Sequence, residues 1–151
     1  MSNPVSTACS VTERYAPLLG RILIAALFVP AGINKITGFA GTSAYMASKG
    51  LPLPDLLLVL TIIIELGGGL MILFGWRARE AALVIVLFLI PVTVVFHGFW
   101  GVEDAAAQAK EQITFMKNLA IMGGLLMIAG LGAGSCSLCG KGTCKTPNTQ
   151  S

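Results

Sequence analysis

Four long apolar stretches alternate with short polar segments along the chain. They cover roughly Tyr15–Ile36, Leu53–Trp76, Ala81–Trp100 and Ile113–Leu131. The second stretch contains the run LLLVLTIIIELGGGLMILF, in which Glu65 is the single charged residue. A helix needs about 20 predominantly apolar residues to cross the hydrocarbon core of a bilayer. The pattern therefore predicts four transmembrane helices.

The polar segments divide the chain into a membrane domain and two tails. Residues 1–14 are predicted to form an N-terminal cytoplasmic tail, and residues 132–151 a cytoplasmic tail rich in glycine and cysteine. The four-helix transmembrane domain occupies residues 15–131. Its first loop, Thr37–Asp55, has the glycines and prolines typical of loops, and its centre, Ser43–Lys49, favours a short interfacial helix.

Composition agrees with a membrane protein. Of the 151 residues, 55% are hydrophobic and 11% are charged, and the mean hydropathy is +0.82. Soluble domains carry about 25% charged residues. The predicted fold class is therefore all-α, an integral membrane four-helix bundle in contact with the lipid bilayer. The chain has no lysine-rich arm, so nucleic acid is not an expected partner.

Basic residues are distributed unequally between the two faces of the predicted bundle. Four spans place both termini on one side. That side carries Arg14, Arg77, Arg79, Lys141 and Lys145, whereas the opposite loops carry Lys49 and Lys110 with Asp55, Glu103, Asp104 and Glu111. Because basic residues accumulate on the cytoplasmic side of membrane proteins, both termini are predicted to be cytoplasmic.

Glu65 is the charged residue near the middle of the second predicted span. A carboxylate inside a transmembrane helix is costly, so it is expected to face protein or water rather than lipid. Thr61, Gly68 and Gly69 lie one helical turn away and extend a small, polar stripe along the same helix. Two interpretations remain open: Glu65 is a structural ion-pair partner, or it is a proton-handling or ligand-binding carboxylate.

Three basic side chains from three helices are predicted to lie at a similar depth, toward the outer face. They are Lys35, His97 and Lys117, with Asn34 and Asn118 beside them. The helical rise places all three about 21–25 Å from the cytoplasmic edge, with Glu65 deeper at about 15 Å. Arg21 lies below Glu65, near the inner edge.

This convergence suggests a binding site in the outer half of the bundle. One carboxylate cannot neutralise two lysines, so the excess positive charge would suit an anion or an electron-rich carbonyl. Alternatively, both lysines could extend to water and His97 could form a helix-end hydrogen bond. An open pocket lined by Lys35, Glu65, His97 and Lys117 would favour ligand binding. A closed bundle with Glu65 fully paired to Arg21 or a lysine would favour a scaffold.

Five segments, in order, resemble the DoxX family of small four-helix membrane proteins. They are LLGRILIAALFVPAGINKITGFAG, GLPLP, IIIELGGGLMILFGW, FHGFWG and FMKNLAIMGGLLMIA, and they span about Arg14–Leu131. Positions that match the family pattern are Arg21, Gly32, Lys35, Glu65, Phe96, His97, Lys117 and Asn118. The resemblance implies a multi-pass protein of the bacterial inner membrane.

The resemblance also implies a function in redox or thiol homeostasis. The family takes its name from a subunit of a thiosulfate:quinone oxidoreductase, and other members are described as membrane partners of redox-protective enzymes. We therefore expect an accessory or electron-carrying subunit, associated with a soluble or membrane oxidoreductase, that binds a quinone or small anion. The predicted catalytic residues are Glu65 and His97, and the predicted ligand-binding residues are Arg21, Asn34, Lys35, Lys117 and Asn118.

Two other functions remain open at the level of sequence. The protein could be a non-catalytic scaffold or assembly factor that docks a soluble enzyme through its basic cytoplasmic face. It could also be a small-solute transporter, although four spans without broken-helix repeats make a weak match to known transporter architectures. The oligomeric state is equally open, and a homo-oligomer is one possibility.

The C-terminal tail departs from the core family pattern. Cys136, Cys139 and Cys144 form a C-x2-C-x4-C pattern, and Cys9 is predicted to lie on the same side of the membrane. Clustered thiolates can bind zinc, copper(I) or an iron–sulfur cluster. Alternatively, the pair Cys136 and Cys139 could exchange disulfides, or the tail could be unligated.

Overall fold

The computed structural model describes the backbone of residues 4–134 and the side chains of residues 15–134. It contains six α-helices and a π-helical turn, Ile63–Gly67, that joins the third helix to the fourth. The helices are α1 (Pro4–Thr37), α2 (Phe39–Ser48), α3 (Pro54–Ile62), α4 (Gly68–Phe74), α5 (Ala78–Phe96) and α6 (Ala105–Leu131). No strand occurs between residues 4 and 134, which confirms the all-α prediction.

Four helical segments are long and apolar enough to cross a membrane. They are Tyr15–Thr37, Pro54–Phe74, Ala78–Phe96 and Ala105–Leu131, with mean hydropathies between 1.5 and 2.5. Large apolar side chains such as Leu23, Leu87 and Met127 are well exposed on their outer surfaces. A lipid environment accommodates this surface, so the predicted four-span membrane bundle is confirmed.

Some helix boundaries differ from those expected from hydropathy. α6 begins at Ala105 rather than at Ile113, because the Asp104 side chain caps it by accepting a 2.7 Å hydrogen bond from the Ala107 amide. α5 ends at Phe96 rather than at Trp100. α1 begins at Pro4, within the predicted tail, and proline is well tolerated in the first turn of a helix.

The short helix predicted over Ser43–Lys49 is present as α2, and it begins earlier, at Phe39. Its C-terminal end is marked by Gly50, whose φ of +76° is a backbone conformation that favours glycine. α2 packs against α3 and α1, on the face of the bundle opposite the termini.

Glycines allow the helices of the second span to approach their neighbours closely. A Cβ atom at Gly69 would lie 3.1 Å from Val29 Cγ2 of α1, and one at Gly68 would lie 2.8 Å from Ile85 Cδ1 of α5. α6 in turn packs on α5. The resulting core contains Phe28, Ile72, Ala81, Ala82, Ile85, Val86, Leu89 and Leu125. This arrangement makes the second span and α5 the central helices of the bundle.

Candidate functional site

Glu65 lies in the middle of the π-helical turn, and 7% of the residue is exposed. Its carboxylate oxygen Oε2 accepts a 2.8 Å hydrogen bond from Lys35 Nζ, which extends from the last turn of α1. The side chains of Lys35 and Glu65 are 28% and 9% exposed, so the ion pair is largely shielded from solvent. π-helical turns often occur at functional sites, because the extra residue alters which side chains face inward.

The Lys35–Glu65 pair lies in the wall of a cavity of about 300 Å³. The cavity is bounded by α1, α2, the second span, α5 and α6. Its lining comprises Leu27, Phe28, Ala31, Lys35, Thr42, Tyr45, Met46, Thr61, Glu65, Phe88, Leu89, Val92, Phe96, His97 and Asn118. Small-molecule sites in proteins commonly combine apolar walls with a few polar groups in this way.

Helix α2 covers the cavity on the side opposite the termini. It contributes Thr42, Tyr45 and Met46 to the lining. The Tyr45 ring contacts the ring of Phe96, with centroids 5.8 Å apart. A hydrogen bond from the Ser43 hydroxyl to Asp55 Oδ1 ties α2 to the start of α3. These contacts hold one wall of the cavity in place.

His97 lies at the C-terminal end of α5, where its backbone amide donates a 3.1 Å hydrogen bond to the Thr93 carbonyl. Its Nδ1 atom is 2.9 Å from Glu111 Oε2 on α6. The two side chains are 29% and 33% exposed, so this pair lies between the cavity and the surface. The imidazole is therefore held by α6 while it lines the cavity.

Asn118 is the α6 residue that lines the cavity. Its Nδ2 atom donates a 3.0 Å hydrogen bond to Thr93 Oγ1, which is almost completely buried. The bond links α5 to α6 and fixes the orientation of the amide. A buried hydroxyl without a partner would be costly, so the pair also stabilises the helix–helix contact.

The remaining predicted site residues do not line the cavity. Lys117 and Asn34 are exposed, although each is adjacent in sequence to a lining residue. Arg21 is 1% exposed and lies within α1, outside the lining. Lys35 is the only lysine or arginine in the lining, so the excess positive charge expected there is not found. Glu65 is paired with Lys35, as expected for a scaffold, but a cavity is present beside the pair, as expected for ligand binding.

Several lining or supporting residues were not anticipated from the sequence, in particular Tyr45, Phe88 and Glu111. The sequence pattern places Glu111 among the acidic loop residues. Because α6 begins at Ala105, Glu111 lies within the helix, two turns before Asn118 and on the same face. The Asp104 cap and the alanines that follow it are the sequence signal that identifies this longer helix.

The predicted metal site lies outside the described residues. Cys136, Cys139 and Cys144 follow residue 134, and the side chain of Cys9 also falls outside the described part. The metal and thiol-exchange interpretations of these cysteines remain predictions. Between residues 15 and 134, no group of three or more histidine, cysteine or acidic side chains is arranged to hold a metal ion.

The fold and the site define a small multi-pass helical membrane protein with an intramembrane ion pair beside a cavity. The chain belongs to the DoxX family, whose family model matches residues 16–98. It is 42% identical to the inner membrane protein YqjF of Escherichia coli K12 over 126 residues, which cover 83% of this chain and 91% of YqjF.

A second relative supports the same assignment. The inner membrane protein YphA of Escherichia coli K12 is 32% identical over 121 residues, covering 80% of this chain and 86% of YphA. No solved structure gives a significant match. The family assignment, the two relatives and the four spans together make this chain a multi-pass inner membrane protein.

Proposed function

We propose that this chain is an accessory or electron-carrying membrane subunit of a redox or thiol-homeostasis complex, and that its cavity binds the head group of a quinone. The observation that carries the proposal is the cavity itself, which places the Lys35–Glu65 ion pair beside aromatic side chains. Phe88 and Phe96 offer apolar surface to a planar ring. The volume, about 300 Å³, lies at the lower end of the range for small-molecule sites, about 300–1,000 Å³.

The charges in the lining favour a neutral ring over a small anion. The ammonium group of Lys35 is already compensated by Glu65, and the imidazole of His97 is paired with Glu111. An anion would meet the Glu65 carboxylate together with Lys35. A quinone carbonyl can accept a hydrogen bond from Lys35 without adding a charge. Of the two ligand classes expected from the sequence, the quinone therefore fits better.

The polar groups of the cavity suit proton exchange with such a ligand. Lys35 has hydrogens beyond the one donated to Glu65, and Glu65 can accept or release a proton beside the ring. Electrons would be exchanged with an associated soluble or membrane oxidoreductase. In this proposal Lys35 orients the ring, and Glu65 and His97 handle protons.

A blocked cavity tests the proposal. Ala31 lines the cavity, and Ala31→Leu would fill part of it. Ala26→Leu, at an exposed position of the same helix, is the matched control. We expect the A31L change to weaken binding of a short-chain benzoquinone by at least about tenfold, roughly the loss of 1.4 kcal/mol of contact. The control should bind like the unaltered protein.

The measurement is titration of purified protein in detergent, with native mass spectrometry and lipid extraction to find co-purified quinone. No bound quinone and no measurable titration, in protein shown to be folded, would refute the proposal. The same spectra report the mass of the assembly, which tests for a homo-oligomer. Metal analysis of anaerobically purified protein tests the cysteine tail separately.

The scaffold function has one structural feature in its favour. Arg77, in the turn before α5, and Arg79, in the first turn of α5, are both exposed and basic. Arg77 is paired only loosely with Glu80, at 3.4 Å. An acidic surface of a soluble enzyme could dock there. A scaffold should retain its partner after A31L and lose it after Arg77→Ser and Arg79→Ser. If the protein instead acts through its cavity, A31L should lower activity, whereas Arg77→Ser and Arg79→Ser should leave it unchanged.

A further inference from the structure

His97 lines the cavity, and one of its two ring nitrogens contacts Glu111. Nδ1 is 2.9 Å from Glu111 Oε2. An ionised carboxylate can only accept hydrogen bonds, so the hydrogen of this bond must be carried by Nδ1. In a neutral imidazole, Nε2 then has no hydrogen and is an acceptor. Glu111 therefore sets the hydrogen-bonding character of the opposite ring nitrogen.

The ring nitrogen that remains available to a ligand is Nε2, because Nδ1 is taken up by Glu111. His97 lines the cavity, whereas Glu111 does not. The acceptor that His97 can offer to a ligand in the cavity is therefore Nε2. The His97 backbone is fixed at the end of α5 by its hydrogen bond to the Thr93 carbonyl.

The other polar lining groups do not distinguish a hydroxyl group from a carbonyl group. The Lys35–Glu65 pair offers both ammonium hydrogens and carboxylate oxygens. Asn118 keeps its carbonyl oxygen and one amide hydrogen after its Nδ2 bonds to Thr93. His97 is different, because its acceptor nitrogen can bind a hydroxyl hydrogen and would repel a carbonyl oxygen.

We propose that the cavity selects the hydroxyl form of its ring ligand, a hydroquinone or phenol, over the corresponding quinone. The proposal rests on the proposed function, since it names the redox form that the same cavity binds. Glu111 acts as a positioning residue, because it touches His97 and not the ligand. A site that pairs a ligand hydroxyl discriminates against an analogue that lacks the donor, since its own acceptor is then left unpaired.

The test compares two forms of one probe. A short-chain benzoquinol and the matching benzoquinone are titrated anaerobically into the untagged, full-length protein at mildly alkaline pH, where histidine is usually neutral. We expect the quinol to bind about tenfold more tightly than the quinone, a difference typical of one hydrogen bond. Equal or tighter binding of the quinone would overturn the selectivity while leaving the proposed function intact. Binding of neither form would overturn the proposed function as well.

Glu111→Gln provides the decisive variant. The glutamine side chain can donate to Nδ1 through its amide nitrogen or accept from Nδ1 through its carbonyl oxygen, so it no longer enforces one tautomer. The preference for quinol should follow the tautomer, and it should disappear or reverse where the hydrogen has moved to Nε2. Glu103→Gln is the matched control, since Glu103 is an exposed carboxylate in the connection that precedes α6. An unchanged ratio of affinities in a Glu111→Gln protein whose imidazole hydrogen lies on Nε2 would contradict the proposal, as would a changed ratio with the hydrogen still on Nδ1.

A spectroscopic readout separates this role from a merely structural one. His97 is the only histidine in the sequence, so ¹⁵N-histidine labelling yields the signals of a single ring. We expect a protonated Nδ1 and an unprotonated Nε2 in the unaltered protein, and the same spectra identify the tautomer in Glu111→Gln. A hydrogen on Nε2 of the unaltered, neutral ring would overturn the proposal even if a variant failed to fold.

Discussion

Glu65 and Lys35 show how a charged pair can be accommodated within an apolar bundle. The 2.8 Å contact compensates both charges, and the lysine stem spans the distance between α1 and the π-helical turn. Neither group is tolerated well alone, since an isolated charge in an apolar environment is costly. The pair therefore has a structural role whether or not it also serves a ligand.

Replacing one member of the Lys35–Glu65 pair should lower the free energy of unfolding more than replacing both. Glu65→Gln leaves the ammonium group of Lys35 without its partner, and removal of one partner from a buried pair typically costs about 3–5 kcal/mol. Because Lys35 is partly exposed, we expect the lower end of that range. The double change Lys35→Met and Glu65→Gln should recover part of the loss. Denaturant unfolding in detergent measures both.

Lys110→Met is the control for this comparison, because Lys110 is an exposed lysine on the same side of the bundle. It should change the free energy of unfolding little. If the double variant were less stable than Glu65→Gln alone, uncompensated charge would not be the source of the loss.

The sequence predicts the depth of a residue in the membrane better than the direction in which its side chain points around the helix axis. Counting residues along the spans places Lys35 and His97 at a similar depth, and both line the cavity. It did not distinguish Lys117 from Asn118, which are rotated by about 100° from each other around an α-helix. The partly buried residues Ile121, Met122 and Ile128, together with buried Leu125, show the inward face of α6, and Asn118 continues it. That periodicity was available in the sequence and favours Asn118.

At the scale of elements, small residues determine how closely the central helices pack. Gly32 belongs to α1 and Gly69 to the second span, and each lies where these two helices contact each other. A Cβ atom at Gly32 would lie 3.0 Å from Leu66 Cβ and 3.2 Å from the Leu66 amide nitrogen. Such close approach is common between transmembrane helices that present small residues to each other.

Gly69→Ala should destabilise the bundle. Its new methyl group would lie 3.1 Å from Val29 Cγ2 and 3.2 Å from Phe28 Cβ, so α1 would have to move. Overpacking typically costs about 1–3 kcal/mol, partly offset by the higher helix propensity of alanine, about 1 kcal/mol. Thermal unfolding in detergent provides the measurement.

Gly123→Ala is the matched control, because nothing lies within 4 Å of a Cβ atom at that position of α6. It should leave stability unchanged or increase it. Equal losses in both variants would show that the contact with α1 does not determine the effect.

Element type was predicted well from hydropathy, whereas element ends were not. Hydropathy identifies the part of a helix that contacts lipid, and α6 extends beyond that part at Ala105–Gln112, where its residues are polar or small. Helix formation there depends on the Asp104 cap and on alanine propensity rather than on burial. The π-helical turn had no signal in the sequence, since its residues resemble those of the flanking helices.

For the whole molecule, orientation in the membrane remains a prediction from charge. Arg77 and Arg79 lie at the start of α5, on the side of the termini, while the acidic residues Asp55, Glu103 and Asp104 lie at the opposite side of the bundle. A green fluorescent protein fused after Ser151 should fluoresce, and alkaline phosphatase at the same position should be inactive.

Fusions within the loop between α5 and α6, after Gly101, serve as the internal control and should show the reverse pattern. Active alkaline phosphatase after Ser151 would instead place the termini outside the cytoplasm, and the cavity and its α2 cover would then face inward. The binding proposals do not depend on this outcome, because the contacts within the bundle are the same in either orientation.

The π-helical turn divides one membrane span into two segments with different rotational phases. In a helix of uniform pitch, the direction in which a side chain points follows from the number of residues that separate it from a reference position. Here, the extra residue in Ile63–Gly67 lets Thr61 and Glu65 face the cavity while Gly68 and Gly69 meet α5 and α1. Without the wider turn, the same residues in uniform α-helical pitch would rotate one segment against the other by about 100°. The span would still be long enough to cross the membrane, but it could no longer present its carboxylate and its glycines to their respective partners at once.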